Sequence, residues 1–244
     1  MSDTLVVNEI YLSLQGESTF AGLPCIFVRL TACNLRCSYC DTAYAFTEGE
    51  KKPLSDVRKR VRELATPFDD RRATMHLPLV ELTGGEPLLQ PNSLPLMTQL
   101  CDDGFTVLIE TSGAHDISKI DPRVRVIMDL KCPSSGEVPR NRWENLSHLK
   151  AIDEVKFVIG TAEDYEWTKQ ILAEHRLAER CPILISWVAP LTEAQRHASL
   201  KKVPAGQTPM SRLELAERVI ADKLPVRFQV QMHKVIWAPE ARGV

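Results

Sequence analysis

An open β/α barrel of about six parallel strands is the fold that this 244-residue sequence predicts, and three observations predict it. Short runs rich in Val, Ile, Leu and Phe recur along the whole chain, and longer, more charged segments with helical spacing separate most of them. Alternation of this kind implies parallel strands joined by crossovers. Six strand-helix units can be counted instead of the eight of a closed barrel, and the segments that carry chemistry follow several successive strands.

The apolar runs 5–12 and 25–30 read as buried strands ahead of the first motif. Residues 55–65 then read as a helix with Ser55 as its N-cap, because a serine oxygen can accept from the free N–H groups of the first turn. A strand at 77–82 and a helix at 91–102 follow, then strands at 106–110, 124–129 and 154–159. The helix predicted over 163–178 sets Tyr165, Trp167, Ile171, Leu172 and His175 along one side. A strand at 183–188, a helix at 211–221 and a strand at 226–231 complete the pattern. The loop-like stretch 201–210 (KKVPAGQTPM) is short enough to be internal, and no repeat or low-complexity tract divides the chain. Residues 1–244 therefore read as one domain.

Composition narrows the function. Hydrophobic residues make up 44% and charged residues 25%, the proportions of a soluble globular protein. A chain of this length buries enough surface to fold without a disulfide or metal, so any metal is there for chemistry. Lys plus Arg total 30 against 32 for Asp plus Glu, a net of -2, which offers no field for nucleic acid or an anionic membrane. A small-molecule substrate is the better expectation. The longest apolar stretches, 24–30 and 181–190, fall short of the roughly 20 residues a bilayer crossing needs. MSDTLVVNEIY has neither the basic head nor the apolar segment of a secretory signal, so a cytoplasmic location is expected. Seven cysteines, three of them within 33–40, fit metal ligation better than a disulfide framework.

The strongest motif is Cys33-Asn-Leu-Arg-Cys37-Ser-Tyr-Cys40, directly after the strand CIFVRL. Three thiolates at this spacing can hold three corners of a four-iron cluster and leave the fourth iron open. An open iron can take an amine and a carboxylate as a chelate, the end that S-adenosylmethionine offers together with a reducible sulfonium. A structural zinc would require a fourth ligand, and no His lies near the triplet. The second motif, Leu82-Thr83-Gly84-Gly85-Glu86-Pro87, also ends a strand: its glycines permit close backbone approach, and Glu86 offers an acceptor for an ammonium.

With CxxxCxxC after one strand and GGE after the next, the sequence resembles the radical S-adenosylmethionine superfamily. The segments NEIYLSLQGE (8–17), Gly22-Leu23-Pro24, Phe27-Val28-Arg29-Leu30, Cys40-Asp41-Thr42, Asp129-Leu130-Lys131-Cys132-Pro133-Ser134-Ser135-Gly136 and Gln231-Met232-His233-Lys234 narrow the resemblance to the 7-carboxy-7-deazaguanine synthase family. It covers essentially the whole chain.

The resemblance implies that Cys33, Cys37 and Cys40 hold a 4Fe-4S cluster and that Thr42 contacts Mg²⁺, substrate and solvent completing its shell. It implies substrate contacts at Leu14, Gln15, Gly16, Arg29, Thr83 and Pro239. A glutamine can pair with donors and acceptors of a pterin edge, and an arginine can clamp a carboxylate through two bonds. For S-adenosylmethionine it points to Tyr39, Cys40, Asp41, Gly85 and Glu86, to Asp129, Leu130 and Lys131, and to Val188, Ala189, Pro190 and Leu191. Relatives often read Ser-Pro-Lys where this chain reads Asp-Leu-Lys, so contacts at Asp129 and Leu130 are expected through the backbone. His76, His115, His148, His175 and His197 have no ligand spacing and read as surface or packing residues.

The reaction implied is conversion of 6-carboxy-5,6,7,8-tetrahydropterin to 7-carboxy-7-deazaguanine with loss of ammonia, in queuosine and deazapurine biosynthesis. The cofactor carries the radical chemistry, and no protein side chain stands out as a hydrogen donor. A reducing protein such as flavodoxin or ferredoxin and a homodimeric state are expected on the same ground. Two alternatives share the cysteine triplet: a radical activase acting on a partner protein, and a non-catalytic iron-sulfur or zinc redox protein.

Overall fold

The computed structural model describes residues 3–68 and 77–244. Among the described residues nine strands run in chain order as β1 (Thr4–Leu14), β2 (Pro24–Leu30), β3 (Glu50–Pro53), β4 (Leu79–Gly84), β5 (Val107–Thr111), β6 (Arg125–Leu130), β7 (Glu154–Ile159), β8 (Ile183–Trp187) and β9 (Arg227–Gln229). The helices are α1 (Leu54–Ala65), α2 (Ser93–Asp102), α3 (Ala162–Glu174), α4 (Arg212–Ala221) and the single turn α5 (His233–Ile236). All eight apolar runs become strands of one sheet, ordered β3-β1-β2-β4-β5-β6-β7-β8-β9. Every pair from β2 to β9 is parallel, so seven strands form the barrel wall, the short β9 being the seventh. The sheet does not close; β3 and β9 are its edges.

Two local expectations are corrected. Strand β3 was not predicted because its residues, Glu-Lys-Lys-Pro, have no apolar member; it pairs antiparallel with β1 from Thr4↔Pro53 to Val7↔Glu50, an edge whose lysines discourage pairing with another chain. Because β3 runs directly into α1, the residue at the helix N-cap is Pro53. Ser55 therefore lies inside the first turn, where its hydroxyl bonds Asp56.

Side chains alternate across each strand. One face, with Ile26, Val28, Val80, Leu82, Ile109, Val126 and Ile185, packs beneath the helices in the main core. On the concave face the strand beginnings are apolar: Cys25, Leu79, Leu108, Ile127 and Leu184 cluster around Phe20, which the β1–β2 connection inserts among them. Thr19 anchors that connection by giving its backbone N–H and hydroxyl to Glu154. One step further along the same faces come Phe27 and Arg29, Glu81 and Thr83, Glu110, Asp129 and Lys156. The barrel is thus plugged with hydrocarbon at one end and charged at the other, where the strands end and the motifs begin.

No helix among the described residues is long and apolar enough to cross a membrane.

Candidate active site

The cysteine loop leaves β2 through Ala32, whose φ of 80° turns the chain sharply. There it meets the Gly84–Gly85 turn of β4: Gly85 N–H donates to the Leu30 carbonyl (3.1 Å) and Glu86 N–H to that of Ala32 (2.8 Å). A Cβ on Gly84 would lie 2.2 Å from the Leu30 oxygen, and one on Gly85 2.0 Å from the Ala32 oxygen and 3.0 Å from the Cys33 Cβ. Both glycines are needed because two backbones touch here, one of them about to present the first sulfur.

The loop is fastened from outside by residues that motif reading missed. Arg36 donates Nη1 to the carbonyls of Cys33 (2.9 Å) and Leu35 (2.6 Å) and lays its guanidinium on Phe46. Glu137, on the connection after β6, accepts from Arg36 N–H (2.6 Å) and pairs with Lys201 (2.9 Å). Ser38 donates its N–H to the Ser135 carbonyl and its hydroxyl to that of Ser134. Leu35 N–H points at Cys33 Sγ (3.4 Å), the kind of donor that stabilises a ligating sulfur.

Cys33, Cys37 and Cys40 face one cavity of about 580 Å³. Burial pushes the Cys37 thiol up to about 11 and that of Cys40 up to about 12, so iron would have to displace their protons. No three His, Cys, Asp or Glu groups among the described residues converge on a point as ligands of a single ion.

Beside the cysteines, the cavity wall includes Tyr39, Asp41, Gly85, Asp129, Lys131, Val188 and Ala189. Tyr39 Oη and Asp129 Oδ1 are buried without a hydrogen-bond partner among the described residues. Asp129 Oδ2 pairs with Lys131 Nζ at 2.9 Å. Expected contacts are corrected at three positions, Pro190, Leu191 and Glu86, whereas Leu130 has only its backbone to offer, as expected. Leu130 is fully buried in the main core, on the far side of its strand. Pro190 and Leu191 stand outside the cavity wall. Glu86 is 0% exposed, with Oε1 accepting from Thr111 Oγ1 (2.8 Å) and Leu88 N–H (3.0 Å) and Oε2 from Ser112 N–H (2.7 Å). Its carboxylate ties the β4 turn to the end of β5 and has no oxygen left for an ammonium.

Leu14, Gln15, Gly16, Arg29, Thr83 and Pro239 all line the same cavity. Arg29 already gives Nε to Glu9 (2.7 Å) and Nη2 to Tyr11 Oη (2.7 Å), so only the outer edge of its guanidinium is left for a carboxylate. Gln15 Oε1 accepts from the backbone of Glu17 (2.9 Å) and Ser18 (3.0 Å), and Nε2 donates to Glu81 (3.1 Å). Thr83 Oγ1 donates to Glu110 Oε2 (3.2 Å). Lys156, with a side chain 5% exposed, reaches Glu110 and Glu17, the latter at 3.4 Å. Glu81, Glu110 and Lys156 escaped notice in the sequence, yet each is a charged residue inside a mainly apolar strand, which is the signature of a polar concave face.

Thr42 also lines the cavity. Its hydroxyl donates to Asp41 Oδ1 (2.8 Å), while Lys234 from α5 sits on Asp41 Oδ2 (2.5 Å) and holds that carboxyl well below the usual carboxylate range. A cation at Thr42 would therefore find one hydroxyl and draw its other ligands from substrate and water. The final segment, 238–244, also lines the cavity, fixed by Gln195 Nε2 on the Pro239 carbonyl (2.7 Å) and by Arg242 on Glu48 (2.7 Å). Of the histidines set aside, His175 stacks on Trp143 at 5.0 Å and His197 packs against Phe46, whereas His76 lies outside the described residues.

Residues 28–134 match the Radical SAM superfamily. The chain is 42% identical over 239 residues to the 7-carboxy-7-deazaguanine synthase of Koribacter versatilis, covering 98% of this chain and 99% of that one. It is 40% identical to the 7-carboxy-7-deazaguanine synthase of Chlorobaculum tepidum, covering 98% and 97%. The crystal structure of QueE from Escherichia coli superposes with a TM-score of 0.65 at 24% identity, over 93% of this chain and 94% of that one.

Proposed function

Because the chain belongs to the 7-carboxy-7-deazaguanine synthase family of the radical S-adenosylmethionine superfamily, we propose that the cavity beside its cysteine loop is the catalytic pocket and that its named residues divide between cofactor and substrate. The protein is a lyase that converts 6-carboxy-5,6,7,8-tetrahydropterin to 7-carboxy-7-deazaguanine with release of ammonia. What supports the division is that three cysteines, a set of unpartnered polar atoms and a charged barrel face all border one space.

Cys33, Cys37 and Cys40 hold the 4Fe-4S cluster, and Tyr39, Gly85, Asp129, Lys131, Val188 and Ala189 surround S-adenosylmethionine. When bound, these cofactors supply a single electron and the means to abstract a hydrogen atom from the substrate. The chain's own contribution is placement. Asp129 keeps one oxygen free for a donor on the cofactor, while Lys131 holds the other and keeps the carboxylate oriented. Arg29, braced by Glu9 and Tyr11, presents its outer guanidinium edge to the substrate carboxylate. Leu14 and Gly16 shape the wall beside the ring, and Pro239 and its neighbours limit access of water from the other side. Mg²⁺ at the Thr42 hydroxyl, a flavodoxin or ferredoxin as reductant, a homodimer and a cytoplasmic location complete the reading.

Anaerobically reconstituted protein given reductant, S-adenosylmethionine and the carboxytetrahydropterin should form the deazapurine. Cofactor cleavage that occurs only with a protein substrate would instead support an activase. Two variants separate the halves of the pocket. Cys37→Ala should lose cluster absorption and turnover together. Arg29→Ala should keep the cluster spectrum and raise KM by about tenfold or more, the scale of one lost charge-assisted contact. Loss of the cluster in Arg29→Ala, or an unchanged KM, would remove Arg29 from the substrate site.

A further inference from the structure

Glu81 lies midway along β4 on the concave face, 1% exposed, between Leu79 of the apolar plug and Thr83 of the upper wall. It borders the cavity, and Gln15 Nε2 is its one hydrogen-bond partner among the described residues. Gln15 cannot turn away, because its carbonyl oxygen is held by two backbone N–H groups. A carboxyl 1% exposed at the cavity floor, with one protein donor, gains from any further donor that a ligand brings. The groups facing it are Glu110 from β5, Lys156 from β7, Glu17 and Gln15 from the β1–β2 connection, Cys25 from β2 and Tyr11 from β1. Lys156 is engaged by Glu110 and Glu17 and holds Glu110 ionised, and its charge offsets the burial of Glu81 only in part.

The pterin substrate and the deazaguanine product share one feature that matches this vacancy in donors: a ring N–H beside an exocyclic amino group, two parallel donors at the spacing of a carboxylate's two oxygens. We propose that Glu81 is a specificity-determining residue that accepts this amino-pyrimidinone edge, next to the Gln15 amide. The proposal rests on the pocket being the pterin site. In the free protein, burial and the Glu110 charge push Glu81 up to about 8. Donors from a ligand favour its ionised form, so binding below that pH must expel a proton. Affinity should accordingly rise about tenfold per pH unit between about 6 and 7.5 and level off above about 8.5.

The test is anaerobic calorimetry of 7-carboxy-7-deazaguanine binding to the cluster-loaded, S-adenosylmethionine-bound enzyme, without reductant, in two buffers of different ionisation enthalpy from pH 6.5 to 8.5. Wild type should release close to one proton at pH 7 and show the pH-dependent affinity. Glu81→Gln should bind about tenfold or more weakly at pH 8, release no proton and lose the pH dependence, with cluster spectrum and S-adenosylmethionine affinity unchanged. A role confined to holding Gln15 would move neither proton release nor its pH profile. Wild-type binding without proton release, or release retained in Glu81→Gln, overturns the proposal; should Glu81→Gln not fold, the wild-type profile decides it. Wild type that neither binds the product nor turns over the tetrahydropterin overturns the pterin reading as well, so the two failures are distinguishable.

Discussion

Gly85→Ala is expected to yield a folded protein that takes up less than about a tenth of the wild-type iron and cleaves S-adenosylmethionine at least about 10²-fold more slowly, the cost of displacing a reacting group by about an ångström. The new Cβ would stand 2.0 Å from the Ala32 carbonyl oxygen and 3.0 Å from the Cys33 Cβ, where no flexible side chain can swing aside. Relief must come from the backbone of 32–33, and Ala32, already at φ 80°, has little freedom to give. The Glu86 N–H bond to Ala32 lengthens or breaks, and the first sulfur moves relative to the other two. Iron content, visible absorption and thermal unfolding measured side by side check this. Full iron and normal cleavage in a stably folded Gly85→Ala would show that the close approach is not what fixes the cluster loop.

Lys156→Met should lower stability at pH 7.5 by about 3–5 kcal/mol, as removal of one partner from a buried ionic network does. Lys156 stands among Glu110, Glu17 and Asp129 with its side chain 5% exposed. Without it Glu110 and Glu17 face each other and Glu81 with no ion-paired cation between them, and Lys131, paired with Asp129, acts on Glu110 only through its more distant charge. The sign of the pH dependence follows from Glu110, which Lys156 holds below its ordinary value. A depressed carboxyl stabilises the fold above its unfolded pKa, and that contribution fades as pH falls through the folded value. In the variant, the same carboxyl is raised by burial and can be neutralised by acid. The gap between wild type and variant should therefore narrow at pH 5 and widen toward pH 8. Urea unfolding at the two pH values measures it; a gap under about 1 kcal/mol, or one independent of pH, would mean that water already screens the network.

Several site residues could be assigned from type and spacing because their chemistry is local. Three cysteines at 33, 37 and 40 restrict the metal through loop geometry alone, and paired glycines after a strand mark a contact between backbones. Side chains whose partners are distant in sequence behaved differently. Glu86 reads as a free acceptor, but Thr111 and Ser112 occupy it from a strand some 25 residues away. Gln15 reads as a versatile edge for a pterin, but its carbonyl closes its own turn and its amide faces Glu81, 66 residues on. Arg29 reads as a two-pronged clamp, but two of its nitrogens brace Glu9 and Tyr11.

By itself, the order of apolar runs, charged segments and motifs pointed to an open parallel barrel and a three-sulfur loop, since period, spacing and residue type act within short stretches of chain, and the resemblance of its longer segments to a known family supplied the reaction. Only the tertiary structure decided which polar groups have vacancies to offer a ligand. That depends on hydrogen bonds between strands far apart in sequence, and on a barrel interior where low polarity raises one carboxyl, Glu81, while a neighbouring lysine depresses another, Glu110.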